Sequence, residues 1–201
     1  NIEFFLQDLA KPNASKTLIE EILSKGFKVN HLINAARSYA TFAIQDDGIT
    51  HRDNFIAEYL MHVVVPYELS TNLIKLQSEE CKTIINIGSM YGIVAINPNL
   101  YDENDKPTPI HYGVAKAASH HLTKELAVRF SKFNVRVNCV AFGGVEGIVK
   151  QDFKKRYGSL NPSGKMLQPE EVVGPVSFLI DDKSSSITGH TMVADGGWTI
   201  W

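Results

Sequence analysis

The sequence predicts an α/β protein, a parallel sheet covered by helices on both faces. Short apolar runs alternate with stretches of helical period along the whole chain. One run, residues 82–89, is rich in isoleucine and stops at Gly88-Ser89, as a strand buried on both faces does. No internal repeat or shift of composition interrupts the alternation, so a single domain over residues 1–201 is expected, and a 44% hydrophobic content allows a sizeable core.

Residues 1–6 read as a strand, followed at once by Asp8-Leu9, so the chain is expected to start inside a sheet. Leu18, Ile19, Ile22 and Leu23 repeat with helical period, and Gly26 stands where a helix ends. Residues 29–33 are a second strand opening onto Asn34-Ala35-Ala36, small residues that let a ligand come close. Residues 52–76 hold a long helix in which Pro66 predicts a kink. After the strand ending at Ser89, the polar stretch 97–109 has no period and reads as a surface loop. Residues 111–133 are helical, 135–140 form a strand, and Gly143-Gly144 breaks the chain. Pro169-Glu170-Glu171 opens a helix running to about Ile180, its carboxylates at the positive end of the dipole, and 191–194 is a last strand.

A net charge of -2 with no basic block lacks the footprint of a nucleic-acid binder. No apolar run approaches the ~20 residues that span a bilayer, and the reading is of a soluble, cytoplasmic protein with no membrane partner. Cys81 and Cys139 have no metal or redox spacing and are expected as reduced structural thiols; no metal site is expected.

Tyr112 and Lys116 lie four residues apart on a helix, which stacks them on one face. A cation beside a phenol favours its phenolate and makes it a candidate general acid/base. A Tyr/Lys pair at this spacing turns up by chance in roughly one chain in two or three. What raises it is Ser89 at the end of the preceding strand, where ligands of open α/β sheets collect.

Taken together, Asp8-Leu9, Asn34-Ala35-Ala36, Ser89, Tyr112 with Lys116, residues 135–138 leading to Gly143-Gly144, Pro169-Glu170-Glu171 and the closing Thr188-Gly189 and Asp195-Gly196-Gly197 resemble the short-chain dehydrogenase/reductase family. The resemblance implies a Rossmann-like doubly wound parallel sheet and an NAD(P)-dependent oxidoreductase acting on an alcohol or carbonyl. Tyr112 would exchange a proton with the substrate oxygen, Ser89 would hold that oxygen, and Lys116 would assist Tyr112 and bind the nicotinamide ribose. Asp8 and Leu9 correspond to the adenine contact, and Asn34, Ala35 and Ala36 to the turn beside the adenine ribose. For Asp8 a helix cap, and for Asn34 a strand-end hydrogen bond, are the structural alternatives.

Four departures from the family pattern stand out. The glycine-rich phosphate loop is missing. Either a segment of roughly 50 residues precedes Asn1, or the protein cannot hold a dinucleotide in the usual way; the first is the expectation, because losing an inner strand exposes an apolar edge. His62 falls where the family carries the asparagine of its proton relay, a role imidazole could fill, with simple packing as the alternative. Phe142 replaces a proline, and Gly147 stands where a threonine often binds the carboxamide, which leaves main-chain groups at Gly143 and Val145 for the nicotinamide. The stretch from Ser89 to Tyr112 is about ten residues longer than usual in the family. With His62 and the Gly-Gly turn, it points to the flagellin-modification or surface-sugar branch.

Tyr91 is a candidate substrate contact. Residues 146–164, with Lys150, Lys154, Lys155 and Arg156, occupy the family's substrate lid; solvated helix charges and recognition of an anionic nucleotide sugar are the two readings. The family implies a homodimer or homotetramer, which a monomer by light scattering would reject. A non-catalytic scaffold and a sugar-nucleotide epimerase or dehydratase are the rival functions.

Overall fold

The computed structural model describes residues 2–38, 49–102 and 107–201. Among the described residues, four strands form one parallel sheet in the order β1 (His31–Asn34), β2 (Thr83–Ser89), β3 (Arg136–Phe142) and β4 (Thr191–Ala194). The register pairs Ile84 with Val137 and Val140 with Met192. Each crossover contains helix: α1 (Ala14–Ser24) precedes β1, α2 (Arg52–Tyr59) and α3 (Val65–Gln77) precede β2, α4 (Ile110–Phe130) precedes β3, and α5 (Gln151–Leu160) and α6 (Val173–Ile180) precede β4.

Alternation of side chains along β2 and β3 splits the core into two layers. Ile84 and Val137 face Ile19 of α1, Leu69 and Leu73 of α3, and Leu126 and Phe130 of α4. Ile85 and Val140 face Leu179 of α6. Both faces of the sheet are thus covered, which explains why β2 reads as an unbroken apolar run. Gly26, at φ +82, ends α1 in the left-handed region that costs glycine nothing.

The structure corrects two expectations and refines a third. Residues 2–6 form no strand, and Phe4 and Leu6 are 87% and 100% exposed. Strand geometry needs a laddered neighbour, and among the described residues β1 pairs only with β2. The helical run expected over 52–76 is present, but the irregularity at Pro66 is a π-helical turn at Leu60–Val64, between α2 and α3, rather than a simple kink. Proline has no N–H to give the carbonyl four residues back, and its ring crowds that carbonyl, which here belongs to His62; the wider turn makes room. Finally, 97–109 is not merely a surface loop. Leu100 is 1% exposed, the Arg156 guanidinium donates to the Leu100 carbonyl at 2.9 Å and pairs with Asp102 at 3.1 Å. The loop, apart from 103–106 outside the described residues, is therefore docked on α5.

Two other expectations hold, for the helix after Pro169 and for the cysteines. The helix after Pro169 begins with a 3-10 turn (Pro169–Val172) closed by a reciprocal cap between Gln168 and Glu171, then continues as α6. Cys81 and Cys139 are free and buried, and burial pushes their thiols up to about 11 and about 12. Among the described residues no helix is long and apolar enough to cross a membrane.

Candidate active site

The carboxyl ends of β1, β2 and β3 open into a cleft of about 750 Å³. Its wall includes Asn34, Ala35, Ala36, His62, Ser89, Tyr91, Tyr112, Lys116, Gly143 and Val145. Ten of the twelve residues singled out from the sequence thus meet at one place. Asp8 and Leu9 do not: they line a neighbouring hollow that shares Ala36 and Arg37 with the cleft. The Asp8 carboxylate accepts from the Ala10 N–H at 3.1 Å, a local turn contact.

Tyr112 lies in the first turn of α4 and Lys116 one turn on. The Lys116 ammonium is 5.7 Å from the Tyr112 ring centroid and donates to the Ile87 carbonyl of β2 at 2.6 Å. Lys116 is 5% exposed, and burial, which penalises the charged form, pushes it down to about 8. Ser89 closes β2, and its hydroxyl accepts from the Tyr91 N–H at 3.2 Å, so its own proton is available to a substrate oxygen. The Tyr91 hydroxyl continues through Tyr101 (3.2 Å) to Thr108 (2.8 Å), a row of hydroxyls supplied by the docked loop.

His62 sits in the π-helical turn with its ring edge-on to Tyr112, centroids 5.8 Å apart. Its Nε2 meets the Glu58 carboxylate at 2.9 Å. Burial holds His62 below its usual range, outweighing Glu58, and the Lys116 and Arg37 charges push the same way.

The Gly143-Gly144 turn is packed rather than open. The Gly143 N–H bonds the Ala194 carbonyl at 3.1 Å, and the Gly144 N–H bonds the Tyr157 hydroxyl at 2.8 Å. Tyr157 stacks on Trp198 at 4.5 Å. Leu167 then bridges to Gly144 and Glu146, and a residue between two such bonds turns its own amide the other way. The Val145 N–H therefore points away from Leu167, whereas that of Gly143 is spent on Ala194. A Cβ at Gly143 would lie 2.8 Å from Asp195 Cα, both of them backbone-anchored. Gly143→Ala is expected to lose about 2–4 kcal/mol in denaturant titration, whereas Gly147→Ala, with nothing within 4 Å, stays within about 0.5 kcal/mol; equal effects would contradict the packing role.

The residues present suit the nicotinamide riboside end of a dinucleotide. Val145 offers an amide, Lys116 has donors beyond the one spent on Ile87, and the buried Asn34 Oδ1 has no hydrogen-bond partner. A glycine-rich phosphate cradle is not among the 201 residues.

Comparison with known proteins agrees with this geometry. A family model described as Enoyl-(Acyl carrier protein) reductase matches residues 2–199. A short chain dehydrogenase from Leptospira borgpetersenii with bound NAD+ superposes with a TM-score of 0.86 at 28% identity, over 98% of this chain and 75% of that one. The chain belongs to the short-chain dehydrogenase/reductase family. Post-translational flagellin modification protein A of Campylobacter coli is 35% identical over 115 residues, 57% of this chain and 45% of that protein. An NADH-dependent L-xylulose reductase of Ambrosiozyma monospora is 28% identical over 85% of this chain and 63% of its own length. The chain thus spans less than two thirds of either curated relative.

Two neighbours of the site, Arg37 and Glu58, escaped the sequence reading, and a third, His120, carries no catalytic role in it. Arg37 holds its guanidinium 5.1 Å over the Tyr112 ring. Glu58 is buried behind His62. His120 packs against Gly88 and Gly92 and accepts from the Ser89 N–H at 3.4 Å, with burial pushing it down to about 4. Only Glu58 left a sequence signal, its four-residue spacing from His62.

Proposed function

We propose that this chain is the catalytic part of an NAD(P)-dependent oxidoreductase that interconverts an alcohol and a carbonyl. The observation that carries the reading is the meeting of Ser89, Tyr112 and Lys116 in the lining of one cleft that Val145 also lines. Bound nicotinamide would supply or accept the hydride. Val145 and Lys116 would hold that end of the cofactor, with Asn34 at the ribose side. Ser89 would donate to the substrate oxygen and fix it, and Tyr112 would give or take the proton there, its negative charge favoured by the cations of Lys116 and Arg37.

The hydroxyl row of Tyr91, Tyr101 and Thr108 suits a polyhydroxylated substrate, and the flagellin-modification and xylulose relatives support a sugar or nucleotide sugar. The test is fluorescence titration of the gene-length protein with NADH and NADPH, followed by turnover on ketoses, polyols and nucleotide sugars. Binding of either cofactor with turnover on one class bears the reading out. Saturable cofactor binding without turnover on any carbonyl leaves a binding protein, and no cofactor binding overturns the reading.

A further inference from the structure

Glu58 has no part in the chemistry above, yet it is one of the least accessible residues, at 1% exposure. Burying a carboxylate costs several kcal/mol, and an apolar side chain of similar size would fill the same space without that cost. Its retention calls for a partner that uses the charge. One such partner is His62, itself 5% exposed, whose Nε2 lies 2.9 Å from Glu58 Oε1. The two residues straddle the end of α2 and the π-helical turn, so the backbone irregularity forced ahead of Pro66 also sets the direction of the imidazole.

We propose that Glu58 is a positioning residue: it takes the Nε2 proton of His62 in a hydrogen bond and so leaves Nδ1 as the ring's acceptor beside Tyr112 and Lys116. A neutral imidazole has one donor and one acceptor nitrogen, and a carboxylate at one nitrogen decides which is which. The groups facing the ring are Glu58 from α2, Tyr112 and Lys116 from α4, and Arg37 from the segment after β1. Burial first, and then the charges of the last two, disfavour imidazolium and favour the neutral ring. Its acceptor then serves the Lys116 ammonium, directly or through a water. One of the three N–H bonds of Lys116 is committed to Ile87, and an acceptor from His62 fixes a second. Glu58 thus sets where the ammonium sits relative to the phenol without touching substrate.

Two measurements separate this from the oxidoreductase reading on which its kinetic arm rests. The first needs no activity. Nitrogen-15 shifts of the His62 ring should report the neutral Nε2–H form from pH 6 to 8 in the unaltered protein, the same form in Glu58→Gln, and a mixed or Nδ1–H form in Glu58→Leu. An Nδ1–H ring or an imidazolium in the unaltered protein overturns the proposal even if Glu58→Leu does not fold. The second is kinetic. Glu58→Leu should lower kcat about 10-fold with KM for cofactor and substrate held within about 3-fold, and should shift the pH profile of kcat, while Glu58→Gln recovers most of the loss. A purely structural Glu58 would lower thermal stability and leave the tautomer and the pH profile where they were.

Discussion

Tyr112→Phe is expected to lower kcat by at least ~10³-fold while the fold stands. The loss follows from the proton: phenylalanine keeps the ring and removes the only group on α4 whose oxygen can deliver a proton to a substrate held by Ser89. The ring contacts survive, because the edge of His62 and the cations of Lys116 and Arg37 meet the ring itself. Deleting a hydroxyl from a half-buried tyrosine costs about 0.5–1.5 kcal/mol, so the melting midpoint should move by only a few degrees. Cofactor titration should be unchanged within a factor of about 3. Stopped-flow turnover retained within 10-fold would remove Tyr112 from the chemistry, and with it the proposed mechanism.

The sheet was legible because burial on both faces leaves an apolar signature, as in residues 82–89, and helical period marked α1, α4 and α6. What was not legible depended on contacts at a distance. Residues 2–6 carry a strand's composition, but composition cannot supply a neighbour to ladder with. The π-helical turn is a compromise between a continuous apolar stripe and one proline, and periodicity registers only the stripe. The polar composition of 97–109 hid its docking, which rests on Arg156, on the buried Leu100 and on Tyr101 against Phe153 of α5. At the site, residues with a fixed spacing, Tyr112 and Lys116, could be paired in advance. Arg37 reaches the cleft from the segment after β1, and His120 reaches the Ser89 amide from α4, contacts that only folding makes. Val145 shows a finer limit: its neighbourhood was legible, but the direction of its amide was set by the bridge to Leu167.

Lys116→Met should remove turnover by ~10²–10³-fold and, in the same variant, change how stability depends on pH. The sign follows from Lys116 being held at about 8 in the folded chain against 10.5 for an unburied lysine. Below about pH 8 both states carry the proton, and the folded state bears the full penalty of a buried charge. Between about 8 and 10.5 the unfolded state binds more protons, so stability gains as pH rises. Methionine has no such dependence. The stability of the unaltered protein minus that of Lys116→Met should therefore rise by about 2 kcal/mol between pH 7.5 and 9.5. The variant also strands the Ile87 carbonyl, at about 1–3 kcal/mol, but that loss is independent of pH and offsets the difference by a constant without changing its rise. The window begins above the range of His62, whose proton responds to the same ammonium. Urea titrations at four pH values suffice. A difference that stays flat would mean the ammonium is as well solvated as any surface lysine, and Lys116 would then lack the dry setting that lets its charge act on Tyr112.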